Sequence, residues 1–272
     1  MKTIQAGQFK IEGESVSGLG TCIAIPQLDI VFDIGYCPPL AAIQCQTVLI
    51  THAHIDHMGS AHLHAASRAL KAMSPTKFIV PASIAEGLKE LLELWAKLQH
   101  QNVSPHEIIP MVPGEVYELR KGVFVTPFKT NHRIDSQGYR VFERRSKLRP
   151  EFKHLSGPEI AELRKNQGVD ITEVTEATLV VYTGDTRPSI WDTIPEILNA
   201  EVVITEATYL DETKVPANAD QWGHTHLDDL VARAEKFANV KHLVLTHFSA
   251  QYTPEVAARI VREKMGPNVL PL

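Results

Sequence analysis

Residues 51–59 read Thr-His-Ala-His-Ile-Asp-His-Met-Gly, so three imidazoles and one carboxylate fall within the six positions from His52 to His57, directly after the apolar run Thr47-Val48-Leu49-Ile50. Such a run reads as a strand whose C-terminal end opens into a tight polar loop. Alternate residues of extended chain share a face, which puts His52 and His54 on one side; Asp56 and His57 swing toward a neighbouring position. Each pair can hold one divalent cation. Imidazole with carboxylate suits Zn²⁺ and similar borderline ions, and the loop offers no thiolate that would select otherwise. A merely solvated loop gives no reason for this spacing of so scarce a residue.

The rest of the chain has the make-up of a globular protein, with 272 residues, 44% hydrophobic and 22% charged, enough for one large core. A single domain over 1–272 is expected. Cys22, Cys37 and Cys45 form neither a CxxC pair nor an even framework, which suits a reducing compartment without disulfides. The first residues lack an apolar leader, and no run of about 18 apolar residues occurs. These features favour a soluble, cytoplasmic protein with no membrane partner. The formal net charge of -5 speaks against a polyanionic partner only as a whole-chain sum, and a sum hides local patches. Between Lys129 and Lys153 stand eight Lys or Arg and three Asp or Glu, a basic stretch inside an acidic chain.

Short extended runs open the chain at Phe9-Lys10-Ile11, Thr21 to Ile25 and Leu28 to Phe32, with Gly and Pro between them. From His57 to Met73 the pattern is helical, and Lys77 to Val80 reads as a strand. Ser83-x-x-Glu86 has the form of a capping box opening a helix whose apolar side is Ile84, Leu88, Leu91, Leu92, Trp95 and Leu98. That stripe is expected in the core. Further strands are expected at Gly122 to Lys129, Gln137 to Phe142, Thr178 to Tyr182, Val202 to Thr205 and His242 to Leu245. Helices are expected at Glu159 to Lys165, at Leu227 to Phe237 and, capped by Thr253 with Pro254 at its first position, near the C-terminus. The segment Asp211 to Gly223, rich in Pro, Ala and Asn, reads as a mobile loop. A β-rich first half followed by strand–helix alternation predicts two packed sheets with helices outside, a four-layer α/β sandwich. Each polar cluster lies just past a strand's C-terminal end, so those ends should meet at one rim.

Two cations need about seven protein ligands and a water, and the first motif supplies four. His132 after Phe128-Lys129-Thr130-Asn131, Asp185 in Tyr182-Thr183-Gly184-Asp185-Thr186, and His247 in Leu245-Thr246-His247-Phe248-Ser249 are candidates for the rest. Each alone is more often a surface or turn residue. In this order the series His-x-His-x-Asp-His, His, Gly-Asp-Thr and Thr-His-Phe-Ser resembles the metallo-β-lactamase fold. Finer detail is similar to the tRNA 3′-processing endonucleases called ribonuclease Z or tRNase Z: Glu206-Ala207-Thr208-Tyr209, Gly223-His224-Thr225-His226, and Asn131-His132-Arg133 with Ser136-Gln137-Gly138-Tyr139. The likeness covers nearly the whole chain, Gly18-Leu19-Gly20-Thr21 and Phe32-Asp33-Ile34-Gly35 included. It looks closest to the short, plant-type form, in which a compact segment such as Lys147 to Ile160 replaces a long Gly/Pro-rich arm.

The resemblance implies a four-layer αβ/βα sandwich in which His52, His54 and His132 hold one metal, Asp56, His57 and His247 the other, and Asp185 bridges them. It implies two Zn²⁺, with Mn or Fe as alternatives, a precursor tRNA as substrate and a homodimer. Cutting an RNA phosphodiester needs a nucleophile, neutralisation of charge on the phosphoryl oxygens and a proton for the departing oxygen; two cations can serve the first two. By resemblance Glu206 and His224 serve the third and Asp56 steers the water, leaving a tRNA with a 3′ hydroxyl and a trailer with a 5′ phosphate. The segment of about 143–165, with Arg144, Arg145, Lys147, Arg149 and Lys153, is expected to contact substrate phosphates, against the ordinary alternative of a solvated face. His62 and His64, two apart on a helix, are assigned to packing or solvent, and His226 to capping or surface, slightly ahead of a place behind the metal ligands. Two rival classes stay open. One is a hydrolase of small phosphodiesters, lactones or thioesters on the same scaffold; the other is a non-catalytic RNA-binding relative, which the full ligand set disfavours.

Overall fold

The first half of the chain lays down one sheet and the second half the other. In a computed structural model that describes residues 2–166 and 170–272, β1 (Lys2–Ala6), β2 (Phe9–Ser17), β3 (Gly20–Ile25), β4 (Ile30–Phe32), β5 (Thr47–Leu49), β6 (Thr76–Pro81) and β7 (His106–Met111) lie side by side in chain order. The second sheet holds β8 (Tyr117–Arg120), β9 (Val123–Lys129), β10 (Gln137–Leu148), β11 (Thr172–Tyr182), β12 (Ala200–Glu206) and β13 (His242–Thr246). β14 (Phe248–Ser249) crosses back to pair with β2, and β15 (Leu270–Pro271) closes the edge beside β13. Neighbours from β4 to β7 and from β11 to β13 run parallel, and parallel neighbours need crossovers. The helices supply them: α1 (Leu40–Gln44), α2 (Ile55–Met58), α3 (Ala61–Leu70) and α4 (Ala85–Leu98) on the first sheet. After α5 (Gly157–Asn166), which lies between β10 and β11, come α6 (Ile190–Thr193), α7 (Pro216–Trp222), α8 (Leu227–Val231) and α9 (Pro254–Met265).

Both sheets are apolar on both faces, and three clusters result. Ile11, Ile23, Phe32 and Leu49 of the first sheet pack on Val125, Tyr139, Val180 and Ile204 of the second. Cys22, Ala24, Val31 and Phe78 turn outward to Leu88 and Leu92 of α4. Val181, Val203 and Leu245 turn outward to Trp191, Leu230 and Val261. This is the four-layer α/β sandwich expected from the sequence. Each fully buried side chain of this size contributes roughly 1.5–3 kcal/mol on leaving water, so a polar residue at Ile23 or Val203 would disrupt two layers at once.

Local expectations fail where burial is one-sided. Ser83 and Glu86 form no capping box: Ala82–Ile84 is a 3₁₀ turn, α4 begins without a side-chain cap, and the Ser83 hydroxyl donates to Asp135. Of the expected stripe Leu88 and Leu92 are buried, whereas Trp95 and Leu98 are exposed. The run from His57 to Met73 breaks at Gly59-Ser60 into α2 and α3, and Leu227 to Phe237 breaks into α8 and a 3₁₀ turn at Ala234–Asn239. Asp211 to Gly223 is not loop throughout, because Pro216 at the first position starts α7 and the Asn218 side chain accepts from the Val215 N–H at 3.1 Å. Strands β1, β7 and β8 were not expected; they are short and half exposed.

β10 and β11 run longer than expected and leave their sheet. β10 keeps β9 beside it as far as Glu143, and β11 gains β12 only from Thr178, so the pairs from Arg144↔Glu176 to Leu148↔Thr172 form a free two-stranded ribbon. A 3₁₀ turn at Pro150–Phe152 and α5 lie at its tip.

Candidate metal centre

Strand ends with polar residues meet at one rim of the sandwich. His52 and His54 follow β5, Asp56 and His57 lie in the single turn of α2, His132 follows β9, Asp185 follows β11, Glu206 ends β12 and His247 follows β13. His52, His54, His132 and Asp185 offer ligand atoms within 4.8 Å of one another, as do Asp56, His57 and His247. Asp185 faces both groups. Its Oδ2 lies 3.8 Å from His52 Nε2, 3.9 Å from His132 Nε2 and 3.4 Å from His57 Nε2, and its Oδ1 lies 3.4 Å from His247 Nε2. Asp56 Oδ2 is 3.6 Å from His247 Nε2 and 3.8 Å from His57 Nε2, and accepts a hydrogen bond from the Gly18 N–H at 2.8 Å.

Four of the rings are tied on their far side. His52 Nδ1 meets the Thr51 hydroxyl at 2.9 Å, His57 Nδ1 the Asp33 carboxylate at 2.8 Å, His132 Nδ1 the Gly223 carbonyl at 2.8 Å and His247 Nδ1 the Thr208 hydroxyl at 3.1 Å. Such bonds fix a ring's tautomer and aim its other nitrogen. The inward nitrogens crowd one another: His54 Nδ1 is 2.9 Å from His52 Nε2 and 3.2 Å from His132 Nε2. Asp185 Oδ1 is buried without a hydrogen-bond partner, a costly state for a carboxylate oxygen. Crowded imidazole nitrogens beside an orphaned carboxylate oxygen are a donor set that fits divalent cations.

Asp33 is the residue that sequence reasoning missed. Fully buried, its carboxylate accepts from His57 Nδ1, from the Thr51 N–H at 2.8 Å, from the Thr51 hydroxyl at 3.0 Å and from the Tyr182 hydroxyl at 2.7 Å. It orients one expected ligand directly and a second, His52, through Thr51. A signal existed: like Asp185, it is an acid placed just after an apolar strand. Two residues on, a Cβ at Gly35 would fall 1.8 Å from the Asp56 carbonyl oxygen, so only glycine lets this turn pass beneath α2.

Burial and neighbouring charge divide the titrating groups. Burial drives His52 well below the ordinary imidazole range and lowers His54 and His132, favouring the neutral form that ligates metal. Burial acts the same way on His57, but Asp185 and Asp33 outweigh it and hold that ring well above the usual value. For Asp185, burial is overcome by His247 and His57, and its carboxyl sits well below the usual range. His224 lies outside the seven. Burial would lower it, yet Glu206 prevails and pushes it up to about 9. Its Nδ1 is 3.1 Å from Glu206 Oε1 and 3.8 Å from Asp185 Oδ2. Glu206 itself is held by the Thr186 N–H at 2.7 Å, the Thr208 hydroxyl at 2.6 Å and the Thr225 N–H at 3.1 Å.

Other candidates fall elsewhere. His64 is buried against the Thr76 hydroxyl and the Ala42 carbonyl, His62 stacks on Trp95 with centroids 4.5 Å apart, and His226 caps α8 by accepting from the Asp228 N–H. Arg144, Arg145 and Lys147 lie on the ribbon, with Arg149 and Lys153 at its tip. Arg144 pairs with Glu176 at 3.2 Å, Arg145 with Glu143, and Arg149 with Asp170 at 3.4 Å. Along the sequence, residues 143–176 carry seven basic and seven acidic side chains. Arg144 and Arg149 are thus answered by acids of the returning chain, Glu176 and Asp170.

A family profile described as Beta-lactamase superfamily domain matches residues 37–248. The chain is 40% identical to tRNase Z TRZ2, chloroplastic, of Arabidopsis thaliana, over 100% of this chain and 77% of that protein. It is 41% identical to tRNase Z TRZ1 of the same plant, over 93% and 89%. Its fold is similar to the crystal structure of human tRNase Z, short form, with a TM-score of 0.62 at 18% identity over 96% of this chain and 95% of that one. With both sheets, the rim and full-length relatives in agreement, the chain belongs to the tRNase Z family of the beta-lactamase superfamily.

Proposed function

We propose that this protein is a metal-dependent endoribonuclease that removes the 3′ trailer from precursor tRNA. The observation that carries this reading is the Glu206–His224 pair beside the two ligand groups. A hydrolase of lactones or activated diesters does not need a dedicated acid, whereas expelling a ribose 3′ oxygen does. In this reading His52, His54 and His132 hold one cation, Asp56, His57 and His247 hold the second, and Asp185 serves both. Zn²⁺ is the proposed ion at both sites, with Mn or Fe as alternatives. Cations bound there supply a nucleophilic water near neutral pH and neutralise charge on the phosphoryl oxygens.

The chain's own groups do the rest. Asp56, fixed by the Gly18 N–H, orients the attacking water. Glu206 fixes His224 and keeps its proton in place; His224 then gives that proton to the departing 3′ oxygen. As the P–O bond to that oxygen breaks, the tRNA keeps a 3′ hydroxyl and the trailer leaves with a 5′ phosphate.

The ribbon is proposed to hold the tRNA body from the partner subunit of a homodimer, as an appendage of a single domain. Support comes from direction. β10 starts at the rim and runs away from it, so roughly 27 Å of strand, at about 3.4 Å per residue, separates Tyr139 from Lys147, and the ribbon points away from its own rim. The cytoplasm is the proposed location: Cys22, Cys37 and Cys45 are unpaired, and among the described residues no helix is long and apolar enough to cross a membrane.

Parallel incubation of the Zn²⁺- or Mn²⁺-loaded protein with a trailer-bearing precursor tRNA, a bis-aryl phosphate and a lactone tests the reading. Cleavage of the precursor at one position is expected. Rapid lactone turnover with the RNA left intact would replace it with the small-substrate alternative.

A further inference from the structure

Two rim residues take no part in the steps above. Trp222, the last residue of α7, is 48% exposed, and the Arg133 guanidinium lies over its ring at 4.8 Å from the centroid. Both are tied closely to the site. Arg133 follows His132, and Trp222 precedes Gly223, whose carbonyl takes the His132 Nδ1 hydrogen bond. Gly223 has φ +80°, and a Cβ there would stand 2.9 Å from His132 Nδ1 and 3.0 Å from Arg133 Cγ. His224 comes next. Arg187 fastens α7 to the same place, donating to the Asp220 carbonyl at 3.0 Å and to Asn131 Oδ1 at 3.1 Å. An exposed indole with a cation against it is thus held rigidly, two positions from the proton donor.

We propose that Trp222, backed by Arg133, is the stacking platform for the nucleobase immediately 5′ of the scissile phosphate. The proposal rests on the tRNA-cleavage reading, which also sets its direction. His224 protonates the 3′ oxygen of that nucleotide, so its ribose lies at His224, two residues along the chain from Trp222. A π-face against a guanidinium-backed ring holds any base without reading its identity. Trp222 is in this sense a positioning residue for the unpaired end of the acceptor strand.

Trp222→Ala and Trp222→Phe, assayed on precursor tRNA with a normal or an abasic nucleotide 5′ of the cut, test this. Trp222→Ala should raise KM roughly 5- to 150-fold, the range for losing one stacked base, with kcat changed far less, and Trp222→Phe should recover most of it. The abasic nucleotide should penalise the wild type and add nothing in Trp222→Ala. Additive penalties, or a loss on bis-aryl phosphate as large as on RNA, would overturn the platform. Independently of cleavage, a short single-stranded RNA should quench tryptophan emission of the Zn²⁺-loaded wild type, and this signal should vanish in Trp222→Phe. Quenching without precursor cleavage would overturn the tRNA-cleavage reading, and with it the place assigned to the base, while showing that Trp222 stacks on RNA; cleavage without quenching would overturn the platform alone.

Discussion

The rim and the ribbon are two ends of one pair of strands, and opposite rules build them. Near the rim, β10 and β11 place Tyr139 and Tyr182 fully inside, and each hydroxyl has a defined partner, the Ile50 carbonyl at 2.6 Å and Asp33 at 2.7 Å. At the far end the same strands carry Arg144, Arg145 and Lys147 exposed, on a ribbon without a third strand. Buried networks fix a geometry, because an unmatched polar atom there is costly. Exposed ion pairs such as Arg149–Asp170 contribute about 0–1 kcal/mol and leave the side chains free to change partner. Metal ligands and a proton donor need the first regime; binding to a flexible phosphate backbone is served by the second.

Asp185 carries the largest expected effect, since it faces both ligand groups. Asp185→Asn should lose bound metal and bring cleavage of both RNA and bis-aryl phosphate to background; metal analysis beside single-turnover rates checks this, and full metal with full activity would dissolve the dinuclear assignment. His224→Ala comes next. It should keep its metal yet lose roughly 10²- to 10⁴-fold in the cleavage step, with less loss on a diester whose leaving group needs no proton. Equal losses on both substrates would make His224 a support of the site instead.

Smaller effects sharpen the contrast. Asp33→Asn keeps the shape but removes the charge behind His57, so metal affinity or activity should fall about 10- to 100-fold, measurable by competition with a chelator. An unchanged affinity would mean that the buried network is packing alone. On the ribbon, replacing Arg144, Arg145 and Lys147 together with Ala should weaken precursor binding and leave bis-aryl phosphate hydrolysis nearly untouched. Every phosphate that the protein ceases to neutralise flattens the salt dependence of binding by about 0.7 to 0.9 in log-log slope. Because Arg144 and Arg145 already have acidic partners, the change should correspond to about one or two phosphates rather than three. An unchanged slope would leave the ribbon a solvated face.

What could be read from the residues follows the same division. The convergence of His52, His54, Asp56 and His57 was legible because one short loop concentrates them, and the layers because both sheets are apolar on both faces. Asp33 was given no role because its partners Thr51, His57 and Tyr182 are distant in sequence and meet only through folding. The charge of the basic stretch was only partly legible, for the mirror-image reason. Counting along the chain joined Lys129 and Arg133, near the rim, to Arg144 and its neighbours on the ribbon, and missed Glu173 and Glu176 of β11 and Asp170 just ahead of that strand. Ser83 and Glu86 had the right spacing for a cap, yet the chain entered α4 through a 3₁₀ turn and Ser83 found Asp135 instead.

The central claim is that the rim delivers water to phosphorus and a proton to the ribose 3′ oxygen. Cleavage of a trailer-bearing precursor tRNA in oxygen-18 water, followed by mass analysis of both ends, tests it most directly. One labelled oxygen should appear on the 5′ phosphate of the trailer, the tRNA should end in an unlabelled 3′ hydroxyl, and a 2′-deoxy nucleotide before the cut should still be cleaved. A cyclic or 3′ phosphate on the tRNA, with a 5′ hydroxyl on the trailer, would show that the ribose rather than water attacks, and would contradict the chemistry assigned to the rim.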